Sequence, residues 1–361
     1  MLGGAKQAHP ASGANAYRVA ELRSPPPSFR TRHPTHPVSA FQTNADPAPT
    51  PTLAAQPKVA ILLCTYQGQH FLEEQLMSFQ AQNHRHWILH VSDDGSSDDT
   101  RHILRRYQAL LGANKMSFKD GPLQGFVSNF LSLTLGQDAR ADYYAYSDQD
   151  DVWEADKLER AVAWLQTVAP GVPALYCSRT RVVDDQNVSI GLSPLFEKPP
   201  SFANAIVQNI GGGNTMVFNE AARQLIAQTI NAKQVVSHDW WAYLLVSGCG
   251  GAVHYDPYPA VRYRQHADNL VGANNSWRAR LFRMRLLAQG RFKRWNDQNI
   301  AALQSLEHLM TPQNRDTLHL FTQARQQSAW LRLVSLKRSG VKRQTWFSQI
   351  SLFVAALFGK I

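Results

Sequence analysis

The segment DYYAYSDQDDVW, residues 142–153, decides how the rest of the chain is interpreted. Tyr143 to Ser147 is a short, aromatic-rich run that is typical of a buried strand. Carboxylates then crowd into four positions, at Asp148, Asp150 and Asp151. Like charges this close repel each other and are tolerated best beside a divalent cation, and oxygen ligands suit magnesium or manganese. The segment therefore predicts a metal-assisted site beyond the carboxyl end of a strand, where open α/β sheets bind ligands.

The alternative is an acidic turn that caps a helix beginning near Glu154. Aspartate is a favoured residue at helix N-termini, because it accepts hydrogen bonds from free N–H groups and complements the helix dipole. The segment by itself leaves both interpretations open.

The same pattern of strand and polar loop occurs twice upstream. Val59 to Cys64 is a continuous apolar run, as expected of a strand buried on both faces of a parallel sheet, and Thr65 and Tyr66 follow it. Trp87 to Val91 predicts a second strand, which runs into SDDGSSDDT at residues 92–100. The second loop alone is equally well explained as a helix start, but together the loops predict two walls of a nucleotide pocket.

Composition divides the 361 residues into three predicted parts. Residues 1–57 contain ten of the nineteen prolines without apolar periodicity, which predicts a disordered leader. Residues 58–275 form the predicted folded domain, with a nucleotide-binding half at 58–151 and an acceptor half at 152–275. Residues 276–361 form a predicted basic helical arm.

The net charge of +10 is unevenly distributed, with +3 in residues 1–57, −5 in 58–276 and +12 in 277–361. A nucleic-acid binder would more naturally carry its basic surface on the folded body, so we expect no nucleic-acid partner. A basic arm with an apolar closing segment, Trp346 to Phe358, suits an anionic membrane surface. The equal alternative is a helical cap packed on the core.

Cys64, Cys177 and Cys249 lie far apart in apolar contexts, which predicts buried thiols in a reducing compartment. The sequence has no apolar core of signal-peptide type and no apolar run of the ~18 residues that a membrane span needs. The expected location is the cytoplasm, with peripheral contact to the inner face of the cell membrane through the arm.

Further motifs follow each other in a fixed order: TYQG (65–68), GFVSNF (125–130), DKL (156–158), LYCSRTRVVDD (175–185), GGGNTMVFN (211–219), SHDWW (237–241) and YRQHADNLVGA (263–273). With SDDGSSDDT and SDQDDVW, this ordered set resembles the family 2 glycosyltransferases, which have the GT-A fold, and more narrowly their rhamnosyltransferase branch. The resemblance covers about residues 58–275. It implies an α/β domain with a mainly parallel sheet flanked by helices, to which the C-terminal helical arm is added.

The resemblance also implies roles for individual residues. The nucleotide-sugar pocket would contain Thr65, Tyr66, Glu73, Asp93, Asp94, Asn129 and Asp148. The metal would be held by Asp148 and Asp150 of the DxD motif, with His266 as a nitrogen ligand, while Asp151 orients the other carboxylates. From the residues alone, Glu73 is equally well an exposed helix residue and Asn129 a polar residue on the helix of Phe126 and Phe130.

Asp239 precedes an apolar helix, Trp240 to Val246, and the family places its general base at the corresponding acidic position. The alternative is a helix cap or a partner of the helix dipole. Trp240 and Trp241 would offer ring faces on which an acceptor sugar stacks. Arg264 would neutralise phosphate, and the equal alternative for residues 263–266 is a solvated loop. The role of His238 stays open.

The implied reaction is inverting transfer of L-rhamnose from dTDP-L-rhamnose to a saccharide or lipid-linked acceptor in cell-surface polysaccharide biosynthesis. One alternative is a uridine-diphosphate hexose donor on the same fold. A second is a sugar-phosphate nucleotidyltransferase, which should carry a lysine in a glycine-rich loop after its first strand, whereas TYQGQ has none. A third is a non-enzymatic basic scaffold, which would need no carboxylates at strand ends.

Overall fold

The computed structural model describes residues 56–136, 140–228, 235–266 and 290–361, so residues 1–55 of the predicted leader lie outside the described residues. The strands are β1 Val59–Thr65, β2 Trp87–Asp93, β3 Met116–Asp120, β4 Tyr143–Ser147, β5 Val152–Trp153, β6 Ala174–Val183, β7 Ser189–Leu192, β8 Val217–Asn219 and β9 Ala252–Arg264. The helices are α1 Leu72–Gln80, α2 Thr100–Leu111, α3 Phe126–Thr134, α4 Lys157–Leu165, α5 Phe202–Ala205, α6 Glu220–Gln228, α7 His238–Gly248, α8 Arg291–Gln304, α9 Pro312–Gln326, α10 Ala329–Arg338 and α11 Trp346–Leu357.

The described strands form one sheet in the order β3-β2-β1-β4-β8-β6-β9-β5, with β7 paired to β6. The first four strands of this order are parallel, and their register places Thr65 beside Asp93 and Leu63 beside Ser147. The carboxyl ends of β1, β2 and β4 therefore meet at one edge, as expected. The α/β fold predicted from the sequence is confirmed.

The second half of the sheet is mixed rather than parallel throughout. β8 is antiparallel to both β4 and β6, whereas β6 and β9 run parallel over a long register. β5 follows the carboxylate segment directly and pairs antiparallel with Val261 and Arg262 of β9. This pairing brings the end of β9, and with it Arg264 and His266, back to the carboxylates that follow β4.

Two hydrophobic cores lie on opposite faces of the sheet, because alternate residues of a strand point to opposite sides. On β1, Ala60, Leu62 and Cys64 belong to one core, and Val59, Ile61 and Leu63 belong to the other. Helices α1, α2 and α4 cover the second core, and helices α3, α6 and α7 cover the first. The strand β1 reads as uniformly apolar because both of its faces are buried.

The described part of the helical arm, residues 290–361, packs against the first of these cores, while residues 276–289 of the predicted arm lie outside the described residues. Leu336 of α10 and Leu352, Ala355 and Ala356 of α11 are buried members of that core. Backbone and side-chain hydrogen bonds fasten the turn before α11, since Lys342 N donates to Ala203 O and the Arg343 guanidinium donates to Val207 O. The packed cap expected as one alternative for the arm is thus present, although it leaves one face of these helices open to contacts of another kind.

The acidic segment does not cap a helix. Residues Val152 and Trp153 are extended in β5, and the next helix, α4, begins only at Lys157 with Asp156 before it. The N-cap alternative for Asp148, Asp150 and Asp151 is therefore wrong. Within the part of the chain that the structure describes, none of the helices has the length and hydropathy that crossing a membrane requires.

The packing of α11 predicts a difference between two neighbouring residues. Leu352 is 1% exposed and Phe353 is 36% exposed. We expect Leu352→Ala to lower the free energy of unfolding by about 2–5 kcal/mol, because it opens a cavity in the core, and Phe353→Ala to change it by no more than about 1 kcal/mol. Chemical denaturation of the two variants measures both values. Equal effects would show that α11 does not pack on the core as described.

Candidate active site

The end of β2 is held to the loop after β1 by Asp93. Its carboxylate is buried and accepts hydrogen bonds from Thr65 Oγ1 at 2.9 Å, from the Ser96 backbone N–H at 2.9 Å and from Ser96 Oγ at 2.6 Å. Arg101 adds a fourth donor at 3.1 Å. Because protein donors occupy both oxygens of Asp93, Asp93 and Thr65 shape the wall of the predicted pocket through the position of the loop.

Asp94, one residue later, orders a second loop. Its Oδ1 accepts from the Leu123 N–H at 2.7 Å and its Oδ2 accepts from the Gly125 N–H at 2.8 Å. The side chain stays partly accessible at the strand end. The loop of residues 121–125, which precedes α3, is therefore a third wall of the predicted pocket.

The middle residue of the DxD motif joins the loops after β1 and β4. Gln149 Oε1 accepts from the Tyr66 backbone N–H at 2.8 Å, and Gln149 Nε2 donates to the Tyr66 carbonyl at 2.9 Å. A side chain at Gly68 would collide with this amide, since an added Cβ would lie 2.3 Å from Gln149 Oε1. Gly68 thus leaves room for the Gln149 amide in this position, and the Tyr66 ring remains exposed.

Asp151 is fully buried, and its hydrogen bonds fix the position of the acidic segment. Its Oδ2 accepts from Asn214 Nδ2 at 2.5 Å and its Oδ1 accepts from the Arg264 backbone N–H at 3.2 Å. Burial and the nearby charges of Asp150 and Asp148 hold the pKa of Asp151 well above its ordinary value. The expected orienting role of Asp151 agrees with these contacts, which tie the motif to β9 and to the glycine-rich loop.

Arg264 does not serve the phosphate-binding role expected from the sequence. Its side chain is 0% exposed, and the guanidinium donates to the carbonyls of Asp150 at 3.0 Å and Asp185 at 2.7 Å. It also pairs with the Glu74 carboxylate at 2.7 Å and lies over the Phe71 ring. Because these partners occupy the guanidinium, Arg264 positions the acidic segment.

The remaining carboxylates of the motif share one electrostatic environment with Asp239. Burial, together with the negative charges of Asp150 and Asp239, raises the pKa of Asp148 to about 8. Adjacent residues of the glycine-rich loop contact both elements, since the Gly213 N–H donates to Asp239 and Asn214 donates to Asp151. Asp239 at the start of α7 therefore lies close to the acidic segment that follows β4. Asp239 follows Asp148 by 91 positions in the sequence, so these carboxylates become neighbours only in the folded protein.

A divalent cation suits this donor set. Asp150 Oδ2 lies 2.8 Å from Nε2 of the half-buried His266, so the predicted ligands Asp150 and His266 are in direct contact. Within the described ranges, no group of three or more His, Cys, Asp or Glu side chains is arranged to hold a metal by itself. Carboxylate oxygens with excess negative charge fit a cation bound by one or two carboxylates and completed by substrate phosphates, which is how magnesium is usually held.

Asp239 lies in the first turn of α7, and the N-cap residue is Ser237. Its Oδ2 accepts from Asn209 Nδ2 at 2.9 Å and from the Gly213 N–H at 3.1 Å. Its Oδ1 accepts from the Trp240 N–H at 2.7 Å. The carboxylate is thus oriented through Oδ2 by the glycine-rich loop, while Oδ1 keeps lone-pair capacity for a further donor.

His238 is packed as a neutral ring beneath the same site. It stacks on Phe130 with ring centroids 3.8 Å apart and meets Tyr146 edge to face at 4.8 Å. Burial lowers the pKa of His238 to about 4, although the Asp239 charge opposes the shift. Its Nε2 would lie 2.5 Å from a Cβ added at Gly213, so this ring and the loop that orients Asp239 are in close contact.

The predicted acceptor platform is wrong. Trp240 is 6% exposed and donates from Nε1 to the Ala205 carbonyl at 2.7 Å, and Trp241 is 2% exposed. Neither ring presents a face on which a sugar can stack. Apart from Asp239, every residue of α7 is buried, because α7 is apolar on all sides and passes through the core. That all-round apolar pattern was the signal in the sequence that pointed to burial.

Two other predicted pocket residues have structural partners. Glu73 lies on α1, and its carboxylate pairs with Arg106 of α2. Asn129 of α3 is buried and donates from Nδ2 to the Ser92 carbonyl at 3.0 Å. Two alternatives to a role in the pocket therefore describe these contacts: an exposed helix position for Glu73 and a polar helix residue for Asn129.

Several positioning residues were not predicted from the sequence. Asn209, Asn214 and Gln149 each hold one of the site carboxylates or its loop, as described above. Asn214 and Gln149 lie inside motifs and were recognisable by position. Asn209 had no sequence signal, because its role depends on the approach of α7 to the segment before the glycine-rich loop.

Comparisons with known proteins show which family this chain resembles. Residues 60–226 match the family described as Glycosyl transferase family 2. The dTDP-rhamnosyl transferase RfbG of Shigella flexneri is 29% identical over 240 residues, which are 62% of this chain and 78% of that protein. A putative teichuronic acid biosynthesis glycosyltransferase of Bacillus subtilis, TuaG, is 28% identical over 110 residues, which are 30% of this chain and 42% of that protein.

Among solved structures, the chain is similar to the mannosyltransferase PcManGT of Pyrobaculum calidifontis in complex with GDP-Man and Mn²⁺. The similarity has a TM-score of 0.47 at 18% identity and covers 88% of this chain and 89% of that one. The sequence match includes Asp93, Asp94 and the acidic segment. Over residues 60–226, this protein is similar to the glycosyl transferase family 2.

Proposed function

We propose that this protein transfers L-rhamnose from dTDP-L-rhamnose to a saccharide or lipid-linked acceptor in cell-surface polysaccharide biosynthesis. The observation that carries the proposal is that adjacent residues of one loop, Gly213 and Asn214, hold the candidate base Asp239 and the acidic segment through Asp151. The rhamnose donor is supported by the similarity to RfbG over 62% of this chain. The proposed location is the cytoplasm, with peripheral contact to the membrane that carries the acceptor.

In the proposed reaction, the acceptor hydroxyl oxygen attacks the anomeric carbon and the bond to the nucleoside diphosphate breaks. Asp239 takes the hydroxyl proton, since its Oδ1 keeps lone-pair capacity and its Oδ2 is fixed by Asn209 and Gly213. A single displacement with one base inverts the configuration at the anomeric carbon. The neutral His238 and the buried Asp151 are poor alternatives as the base, because neither offers an accessible proton acceptor.

Asp148 and Asp150 would hold a divalent cation, with His266 beside them. When bound, the cation stabilises negative charge on the departing diphosphate. Thr65, Tyr66, Asp93, Asp94 and Asn129 belong to the proposed nucleotide side of the pocket, where Asp94 and the Tyr66 ring keep accessible surface. Glu73 is proposed to act only through its ion pair between α1 and α2.

A donor screen tests the proposed substrate. The purified protein, with magnesium or manganese and a lipid-linked saccharide acceptor, should release nucleoside diphosphate from dTDP-L-rhamnose faster than from UDP-glucose or GDP-mannose. Release from UDP-glucose alone would overturn the rhamnose assignment and favour the hexose donor. If the protein instead forms a sugar nucleotide from a sugar phosphate and a nucleoside triphosphate, it is a nucleotidyltransferase and the proposed glycosyl transfer is wrong.

The crowded carboxylates predict dependence on a divalent cation. Asp150→Asn should lower turnover by about 10²-fold or more, because the charge that balances the cation is lost. Chelator-treated wild type should lose activity and recover it on addition of magnesium or manganese. The matched control is Asp142→Asn, at the opposite end of β4, where asparagine can still accept the hydrogen bond from the Lys58 N–H. Full activity after chelation would contradict the assignment.

Asp239→Asn separates catalysis from helix stabilisation. Asparagine can keep the hydrogen bonds from Asn209 and Gly213, so the free energy of unfolding should fall by only about 1–2 kcal/mol. Turnover should fall by roughly 10²–10⁴-fold, because asparagine is not an effective base. Donor affinity should change little, since the nucleotide side of the pocket is built from other strands. Single-turnover transfer near the wild-type rate would remove Asp239 from the mechanism.

A further inference from the structure

Helices α10 and α11 expose an unusual amount of apolar surface. Ten of the twenty large hydrophobic side chains exposed in the described part of the chain lie between residues 330 and 358. The outer arm face, as we define it, consists of Trp330, Leu331, Val334, Trp346, Phe347, Ile350, Phe353, Val354, Leu357 and Phe358. Trp330 is 74% exposed, Phe347 is 77% exposed and Phe358 is 71% exposed. Concentrated apolar surface of this kind marks an interaction site.

The outer arm face is not required for the packing of the arm on the core. The opposite side of α11 supplies the buried contacts, through Leu352, Ala355 and Ala356. A helix that buries one side normally carries polar residues on the other. The α11 sequence WFSQISLFVAAL contains no charged residue, and large apolar and aromatic side chains occupy its exposed side.

The charged side chains within the segment that carries this face are all basic. Residues 329–361 contain six basic side chains and no acidic side chain. Lys337 and Arg338 are exposed, and their spacing from Trp330 and Val334 places them on the same side of α10. Lys342 and Lys360 flank α11 and are half-exposed.

The other two basic side chains hold the arm together. Arg332 donates to the Ala356 carbonyl at 2.7 Å, and Arg343 donates to the Val207 carbonyl at 2.9 Å. Four basic groups therefore remain for an external partner, beside apolar and aromatic side chains.

We propose that the outer arm face docks on the surface of an anionic lipid bilayer. Tryptophan and phenylalanine would enter the headgroup region, and Lys337 and Arg338 would contact lipid phosphates. The helices would lie on the membrane, since none of the described helices is able to span it. A second copy of this chain is a poorer occupant, because two uniformly positive faces repel each other.

This inference deepens the proposed membrane association by assigning it to a surface. It does not depend on the sugar that is transferred. A lipid-linked acceptor would place the substrate and the docking surface on the same membrane, so docking would raise the local concentration of acceptor.

Vesicle flotation of the full-length protein tests the proposal. The wild type should bind vesicles of phosphatidylcholine with one third phosphatidylglycerol at least tenfold more tightly than pure phosphatidylcholine vesicles. The triple variant Trp330→Ser, Phe347→Ser, Phe358→Ser should lose at least tenfold in affinity for the anionic vesicles. Lys337→Gln with Arg338→Gln should lose about tenfold and leave a weaker salt dependence. The matched control is Met77→Ser with Leu110→Ser, which changes two equally exposed apolar residues on α1 and α2 and should bind as the wild type does.

Every outcome of these experiments either supports or contradicts docking of the outer arm face on an anionic bilayer. Because all substituted side chains are exposed, melting temperatures should stay near that of the wild type, and the charge variant provides an independent test if the triple variant fails to fold. Wild-type binding that neither arm variant weakens would overturn the proposal. A wild-type dimer that the triple variant converts to monomer, without vesicle binding, would identify a second copy as the occupant. Transfer to a soluble acceptor, measured in parallel, should be unchanged in the arm variants, so failure of docking and failure of the proposed function remain distinguishable.

Discussion

The buried guanidinium of Arg264 is the interaction on which the acidic segment depends. A guanidinium that is removed from water needs partners for its donors, and Arg264 finds them in the Asp150 and Asp185 carbonyls and the Glu74 carboxylate. These partners belong to the loop after β4, the turn after β6 and helix α1. One side chain from the last strand thus fixes the path of the carboxylate segment against the other half of the domain.

Because the path of the acidic segment is fixed, its three carboxylates meet different partners. Asp151 points inward to Asn214 and the Arg264 N–H, whereas Asp150 meets His266 and Asp148 shares an environment with Asp239. Nearby, Lys157 is buried over the Trp153 ring, and burial holds its pKa well below the ordinary value. Burial and mutual repulsion raise the pKa values of Asp148 and Asp151, so these carboxyl groups are disfavoured in their charged forms. A cation at the open side of the segment would stabilise the charged forms, which is the physical reason for expecting one there.

The arm combines two interpretations that appeared to compete. Its inner side is a packed cap, because Leu336, Leu352 and Ala355 complete the core beside α7. Its outer side has the composition of an interfacial surface, with aromatic groups and basic residues but no acidic ones. A helix can both pack on the core and carry a docking surface, because residues on opposite sides of its axis meet different environments. Core packing and the proposed docking therefore depend on different residues.

The sequence by itself determined the strands of the nucleotide half and the edge at which their loops meet. A strand buried on both faces reads as a continuous apolar run, and parallel strands necessarily place their carboxyl ends together, so Thr65, Asp93 and Asp148 were predictable neighbours. Only the tertiary structure decided where individual side chains point. The sequence predicts sugar stacking on Trp240 and Trp241, but α7 runs through the core and buries both rings. Arg264 seemed suited to phosphate, but β9 delivers it to buried carbonyls. Motif order and periodicity report local conformation, whereas the partner of a side chain depends on segments that are distant in the chain and adjacent only after folding.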